Sequence, residues 1–150
     1  MNYSKPATQD EYAETRRAFI SLLMRSGLKT KSQRIWNQSM LYISQHSNDT
    51  DKVVLNAMEL STPVVECRRV RVAGTVIQVP KLLTPNQARA HSVRWLIEGA
   101  RRRNNKNYAQ ALAQEIMDAA RGSGWATSQR EEVHRTAEAN RAFIRYQWWK

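Results

Sequence analysis

The sequence has little cysteine and no long apolar run. Among 150 residues there is one cysteine, Cys67, which excludes an internal disulfide and favours a reducing compartment. Cys67 falls in a predicted strand, where we expect a small packing side chain rather than a reactive thiol. No apolar stretch approaches the roughly 20 residues that span a bilayer, so we expect no transmembrane segment.

The sequence motifs of common enzyme sites are also missing. There is no glycine-rich phosphate loop, no zinc-finger spacing and no nucleophile elbow. The histidines His46, His91 and His134 are scattered, which disfavours a metal site. Glu131, Glu132 and His134 are close in sequence, but a helix would point them to different sides. We therefore predict no enzyme, no cofactor and no bound metal.

Positive charge, in contrast, is abundant and unevenly distributed. The chain has 24 Lys and Arg against 13 Asp and Glu, a formal net charge of +11 and a sequence pI near 10.4. Residues 64–106 contain 10 basic and 2 acidic residues, a net of +8, while 1–63 and 107–150 carry +2 and +1. This excess favours polyanionic partners, nucleic acid first and an anionic membrane second, although a charge run is also commonly a solvated face.

Part of that charge lies in a predicted β-hairpin at 64–80, VVECRRVRVAGTVIQVP. Two β-branched runs flank a short Ala-Gly-Thr turn, the pattern of a β-ribbon. Because side chains alternate along a strand, Arg69 and Arg71 share one face and Arg68 lies on the other. On that second face Arg68 has a candidate ion-pair partner in Glu66.

The rest of the chain has helical periodicity with clear start and stop signals. Capping boxes are predicted at Thr8 with Glu11, at Thr84 with Gln87 and at Ser128 with Glu131. Six helices are predicted: 12–25, one from 30 with its last periodic residue at 43, about 51–62, 84 to about 103, 107–122, and one from 128 to 146 or beyond. The predicted fold is therefore mostly α: one domain, 1–150, with a tail at 1–9 and a ribbon inserted between the third and fourth helices.

Basic clusters outside the ribbon allow two interpretations. The run RRRNNK at 101–106 ends a helix, where cations stabilise the negative end of the macrodipole and aid solubility. The same guanidinium groups match phosphate oxygens bidentately and suit a phosphate clamp. Four arginines fall near one side of the fourth helix and extend the basic surface of the ribbon: Arg89, Arg94, Arg101 and Arg102. Lys29 and Lys31 form a second basic turn.

The aromatic residues divide into two groups. Trp36 and Phe143 have the spacing of core residues. Trp125, in a predicted loop, and the terminal Trp148–Trp149 pair are candidates for base stacking or protein contact. The terminal pair equally suits the covering of a core edge.

Five stretches resemble the family of small-subunit ribosomal protein seven, in its bacterial and organellar form. In family order they are LLMRSGLKTKSQRI, VVECRRVRVAGTVIQVP, TPNQARAHSVRWLIEGARRR, LAQEIMDAA and REEVHRTAEANRAFIRYQW. The resemblance runs from about Leu22 to Trp148. It implies a mostly helical domain with one β-ribbon, in agreement with the fold predicted from the residues themselves.

The resemblance also implies a function, that of a structural protein in translation. Such proteins are primary rRNA-binding proteins that organise the 3′ major domain, the head, of the small subunit. Their ribbon lies near the exit-site tRNA and the outgoing mRNA, and neighbouring head and platform ribosomal proteins are further partners. No membrane partner is implied.

Carried over by position, the resemblance implies a set of RNA-binding residues. They are Lys29, Lys31, Arg34, Arg68, Arg69, Arg71, Arg89, Arg94, Arg101, Arg102, Arg103, Lys106, Arg135, Arg141 and Arg145. The ribbon tip near tRNA and mRNA would be Ala73, Gly74 and Thr75. We expect Arg69 and Arg71 to bind RNA and Arg68 to pair instead with Glu66. Within the last-helix motif, which also holds His134 and Asn140, some residues are structural and some touch RNA.

The chain departs from the family pattern in three places. The basic N-terminal arm is replaced by MNYSKPATQDEY, which is typical of neither a signal peptide nor an Arg-rich transit peptide. The usual Gly-Gly of the tip is Ala73-Gly74 here. The ending QWWK resembles plant-type mitochondrial members, so we predict a mitochondrial protein made inside the organelle, with bacterial cytoplasm or plastid as the alternative.

Two other functions fit the residues alone. One is a free-standing helical regulator that binds RNA or DNA. The other is a protein-interaction adaptor whose charge serves only solubility.

Overall fold

A computed structural model describes residues 9–149. Within them the chain forms six α-helices, one two-stranded antiparallel ribbon and a final 3₁₀ helix, which confirms the predicted fold class. The α-helices are α1 (Gln9–Leu23), α2 (Lys29–Ser44), α3 (Thr50–Ser61), α4 (Pro85–Arg102), α5 (Tyr108–Ala120) and α6 (Trp125–Ala139). The strands are β1 (Val65–Val72) and β2 (Thr75–Leu82), and the 3₁₀ helix is Arg141–Tyr146. The tail and the predicted Thr8 cap lie outside the described residues.

Helix α5 is the centre of the packing, because it contacts α2, α3, α4 and α6. Its buried face alternates large residues, such as Leu112 and Ile116, with small alanines that let neighbouring helices approach. The approach to α2 is close enough for Ser39 Oγ to donate to the carbonyl oxygen of Ala109 at 2.9 Å. Removing each large side chain from water contributes about 1.5–3 kcal/mol to folding.

The aromatic core prediction is confirmed for Trp36 and not for Phe143. Trp36 is fully buried on α2 and packs against Phe19 of α1, with ring centroids 4.7 Å apart. Phe143 is only half-buried, in the 3₁₀ helix, where its nearest aromatic partner is Tyr146 at 6.3 Å. The predicted helix would have continued through Phe143, but α6 ends at Ala139 and Phe143 belongs to the 3₁₀ helix that follows.

A buried carboxylate joins three helices. Glu115 of α5 is 1% exposed, and its Oε2 accepts from Nε and Nη2 of Arg103, just after α4, at 2.9 and 2.7 Å. Its Oε1 accepts from the backbone N–H of Ala126, in the first turn of α6, at 3.1 Å. The carboxylate fits because Gly99 of α4 has no side chain: a Cβ there would lie 2.7 Å from Glu115 Cδ. We call Glu115, Arg103 and Gly99 the Glu115 junction.

The predicted start of the last helix was wrong, and the Glu115 junction explains why. Helix α6 begins at Trp125, three residues before the predicted Ser128, and Gly124 is its N-cap. Ser128 is inside the helix, where its N–H donates to the carbonyl oxygen of Gly124. The helix also ends earlier than predicted, at Ala139, and the 3₁₀ helix follows. The predicted box of Ser128 with Glu131 was wrong because a carboxylate from α5 caps this helix instead.

Two other predicted signals at helix ends are present in the structure. Gly27, at φ +73°, lies in the turn after α1, which ends at Leu23 rather than Arg25. At α4 the N–H of Thr84 donates to Oε1 of Gln87 at 3.3 Å, the reciprocal bond of the predicted capping box. These signals are local, so the sequence alone carries them.

The ribbon has a tight two-residue tip. Val72 pairs with Thr75, and the residues between them, Ala73 and Gly74, have φ of +48° and +83°. Positive φ at both central positions is the type I′ geometry, whose twist matches that of the strands. Gly74 adopts it without steric cost, whereas Ala73 carries the strain of a left-handed non-glycine residue.

Candidate RNA interface

The register of the ribbon settles which arginines share a face. Arg69 pairs with Gln78 and Arg71 with Val76, so both arginines are on one face, as predicted, and both are exposed. The opposite face is that of Val70 and Val79, which are buried against the domain. One face of the ribbon therefore packs on protein, and the other presents two guanidinium groups to solvent.

The predicted pairing of Arg68 with Glu66 was wrong. The guanidinium of Arg68 lies over the ring of Trp149, 5.3 Å from its centroid. Glu66 is instead 3.9 Å from Nζ of Lys81 on β2 and 3.4 Å from Nε2 of His91 on α4. Arg68 and Glu66 do lie on the same face of the ribbon, as the sequence predicted. The carboxylate of Glu66 nevertheless binds Lys81 on the neighbouring strand and His91 of α4, and a sequence pattern within β1 does not show either partner.

His134 fixes the base of the ribbon. Its Nε2 accepts a hydrogen bond from the backbone N–H of Val64 at 3.1 Å, so this ring nitrogen is unprotonated. Burial lowers the pKa of His134, and the nearby Arg130 lowers it further. Among the described residues of the last-helix motif, His134 thus has a structural contact, while Arg135 is exposed.

The arginines of α4 differ in whether they form ion pairs with carboxylates of the protein. Arg94 is exposed, and Arg89 makes an ion pair with Glu14 of α1. Arg101 and Arg102 lie 3.9 and 3.7 Å from Glu98, as exposed pairs of low energetic weight.

Arg103, in contrast, points inward. It is bound by the buried Glu115 and by Asp118, whose Oδ2 lies 2.6 Å from Nη2. The sequence run RRR gave no sign that its third member would be the one to turn toward α5.

Trp125 is not in a loop, as the sequence suggested, but is the first residue of α6. The guanidinium of Arg102 stacks over its ring at 4.4 Å. This contact is within the range of a cation–π interaction, worth about 0.5–1 kcal/mol at an exposed site. Trp125 thereby holds one predicted RNA-binding side chain in place.

The basic turn at the start of α2 borders three surface grooves. Lys29 shares a groove of about 550 Å³ with Arg16 and Arg17 of α1. Lys31 shares another, of about 350 Å³, with Arg25 and Arg101. Arg34 lines a third. Sequence reasoning missed Arg16, Arg17 and Arg25, because acids early in α1 reduce the local net charge.

The terminal segment lies along the ribbon. Gln147 Nε2 donates to the carbonyl oxygen of Pro80 at 2.5 Å. Trp149 meets Trp148 edge-on at 5.7 Å, and Trp148 is 78% exposed. Two roles were predicted for this pair: covering a core edge, or base stacking and protein contact. The position of Trp149 against Arg68 of the ribbon fits a covering role. Base stacking or protein contact by Trp148 stays a prediction. Nearby, Arg145 lies over Tyr146 and Arg141 is 3.5 Å from Glu138.

Two features are absent from the part of the chain that the structure describes. In residues 9–149 no group of three or more His, Cys, Asp and Glu side chains has the arrangement of a metal site. No helix in that range is long and apolar enough to cross a membrane.

An arginine-bearing ribbon beside basic helix turns, on a domain of net charge +11, is the surface that nucleic-acid-binding proteins present. The chain belongs to the family described as Ribosomal protein S7p/S5e, which matches residues 3–141. This confirms the resemblance found in the sequence.

Bacterial and organellar relatives are similar over most of their length. The small ribosomal subunit protein uS7 of Nitrosococcus oceani is 40% identical over 131 residues, 87% of this chain and 84% of that protein. The small ribosomal subunit protein uS7c of Paulinella chromatophora is 38% identical over 148 residues, 96% and 94% of the two chains. The uS7 protein of Dehalococcoides mccartyi is 38% identical over 131 residues, 87% and 84%.

Proposed function

We propose that this protein is a structural constituent of the small ribosomal subunit. It binds the 3′ major domain of the rRNA directly and organises the head, alongside neighbouring head and platform ribosomal proteins. The observation that carries the proposal is membership of the S7p/S5e family together with the exposed cations of the ribbon, α2 and α4. Its contribution is binding and positioning, with no chemical step.

The cations divide into those free to meet phosphate and those already held. Eight of the residues that the resemblance implies as RNA contacts are exposed and make no ion pair or cation–π contact within residues 9–149: Lys29, Lys31, Arg34, Arg69, Arg71, Arg94, Lys106 and Arg135. Exposed ion pairs, such as those of Arg101 and Arg102 with Glu98, are weak enough to exchange a carboxylate for a phosphate. Arg103 contributes least to RNA binding, because Glu115 and Asp118 neutralise it.

The ribbon tip has proposed partners other than rRNA. We propose that its tip, Ala73 to Thr75, lies near the exit-site tRNA and the outgoing mRNA. Its open face supports this, since Arg69 and Arg71 project to solvent while the other face is fixed to the domain. A ribbon of this kind contacts RNA through phosphates, which suits a partner whose sequence changes constantly.

Binding to a transcript of the 3′ major domain, measured at two salt concentrations, tests the proposal. Six to ten phosphate contacts predict a loss of about 10³–10⁵ in affinity between 50 and 200 mM salt. Chemical footprinting of whole small-subunit rRNA should show protection confined to the 3′ major domain. A flat salt dependence would reject every nucleic-acid function, and co-sedimentation with small subunits separates the ribosomal role from a free-standing regulator.

Charge removal at the ribbon gives a matched comparison. Arg69→Gln with Arg71→Gln should lower the salt slope by about 2, roughly 1 per phosphate contact. Arg121→Gln, a control whose side chain is 73% exposed at the end of α5, should leave the slope unchanged. If the ribbon variant unfolds instead, the two arginines are structural.

For the compartment we propose a mitochondrion, as the resemblance to plant-type mitochondrial members favours. The bacterial relatives fit the alternative of a bacterial cytoplasm. Fractionation of the source cells, with detection of the protein in gradient-purified small subunits, distinguishes the two.

A further inference from the structure

A pocket of about 350 Å³ lies where the turn between α1 and α2 meets the end of α4 and the start of α5. Its lining is largely apolar. Leu23 is buried, Ile35 is half-buried, and Leu28 is 54% exposed at the mouth. The ring of Tyr108, the first residue of α5, forms part of the wall. Apolar surface left open in this way favours an occupant with an apolar face.

Tyr108 offers its ring rather than its hydroxyl. The hydroxyl already donates to the carbonyl oxygen of Ile97 at 3.2 Å. Burial raises the pKa of Tyr108, although the neighbouring Arg101 partly lowers it, so the phenol is neutral at physiological pH. The available surface is therefore an uncharged aromatic ring, which is suited to stacking.

The rim of the pocket is cationic. Arg25, Lys31 and Arg101 surround the opening. Within residues 9–149, Arg25 and Lys31 have no carboxylate within 4.0 Å, and Arg101 has only the exposed Glu98 at 3.9 Å. An apolar side chain from a partner protein would leave this charge unmatched. A planar apolar group flanked by anions would match both the wall and the rim, and a nucleotide in RNA has that form.

We infer that this pocket receives one unstacked base of single-stranded rRNA, whose flanking phosphates are bound by Arg25, Lys31 and Arg101. The inference rests on the proposed rRNA binding and adds a base-binding site to the phosphate contacts expected of Arg25, Lys31 and Arg101. Bases splayed from loops and bulges are commonly recognised by stacking on aromatic side chains with arginine nearby. The base would lie against Leu28 and Tyr108.

Variants of the wall and of the rim give different results in the same binding assay. Leu28→Ser should weaken binding to the 3′ major domain transcript by about tenfold without changing the salt slope, because it removes apolar contact and no charge. Arg25→Gln should lower the slope by about 1. The control is Leu41→Ser, which removes a leucine that is 63% exposed on α2, the helix that follows Leu28, but outside this pocket, and it should bind like wild type.

Chemical probing of the bases identifies the occupant. One base protected by the wild-type protein should become reactive in complexes with Leu28→Ser and with Tyr108→Leu, while backbone protection around it persists. The Leu41→Ser complex should keep the base protected. Circular dichroism confirms that each variant is folded, since Tyr108→Leu also loses the hydrogen bond to Ile97.

Two results would overturn the inference. If both wall variants bind and protect like wild type while Arg25→Gln still lowers the slope, the pocket is only part of a phosphate-binding surface and the proposed function stands. If Leu28→Ser binds RNA normally but fails to enter reconstituted subunits, the occupant is a protein side chain. Failure of the wild-type protein to bind the transcript at any salt would instead reject the proposed function itself.

Discussion

Removing the carboxylate of Glu115 should destabilise the whole domain, although the residue is buried and is not itself a proposed RNA contact. In Glu115→Ala the N–H of Ala126 loses its acceptor in a buried site, which costs about 1–3 kcal/mol. Arg103 loses two charge-assisted hydrogen bonds, partly compensated by Asp118 and by solvent. We expect a total of about 3–5 kcal/mol, the usual range for breaking a buried ion pair. That is a large part of the 5–15 kcal/mol that stabilises a typical domain.

Urea unfolding, followed by circular dichroism, measures this loss. Asp118→Asn is the matched control: the same Arg103 loses a carboxylate, but one with a third of its side chain exposed, so we expect no more than about 1 kcal/mol. If Glu115→Ala costs no more than Asp118→Asn, the junction does not connect the helices as described.

Gly99→Ala tests the same junction from the other side. The added Cβ would lie 2.7 Å from Glu115 Cδ, so the substitution should destabilise the wild-type protein. In the Glu115→Ala background that clash is absent, and alanine should recover up to about 1 kcal/mol of helix propensity. A Gly99→Ala cost that is equal in both backgrounds would refute the proposed steric relation.

Three further predictions concern the ribbon. The folded-state pKa of His134 is below its ordinary value of 6.5, so its contribution to the free energy of unfolding is complete above pH 6.5 and is lost as the pH falls through the folded pKa. Urea unfolding at pH 7.5 and pH 5 measures this loss of stability. In His134→Gln the loss between the two pH values should be smaller than in wild type. Gly74→Ala should destabilise the tip by about 1–2 kcal/mol, seen as faster hydrogen exchange in the ribbon and not in α5. Ala73→Gly should relieve strain and slow that exchange, and faster exchange would contradict the assigned turn.

Elements with local signals could be predicted from the sequence. The α4 capping box, the glycine after α1 and the β-branched runs of the ribbon each specify their structure within a few residues. The facing of Arg69 and Arg71 followed from strand alternation alone.

Features that depend on tertiary contact could not be predicted. Helix α6 begins where a carboxylate from α5 meets its first turn, and the sequence around Ser128 carries no trace of Glu115. Arg103 turns inward for the same reason. The pocket shared by Arg25 and Arg101 joins residues far apart along the chain, so no window of sequence shows the two together.

The base of the ribbon sets the precision of its tip. Eight paired residues at about 3.4 Å each make a lever of about 27 Å, so a rotation of about 10° at the base would move the tip by about 5 Å, one strand spacing. Three separate parts of the chain oppose such a rotation: α6 through His134, α4 through His91, and the terminal segment through Gln147. The position of the ribbon tip therefore depends on side chains that do not contact the tip. Removing any one of these side chains should weaken RNA binding at the tip before it weakens RNA binding elsewhere on the protein.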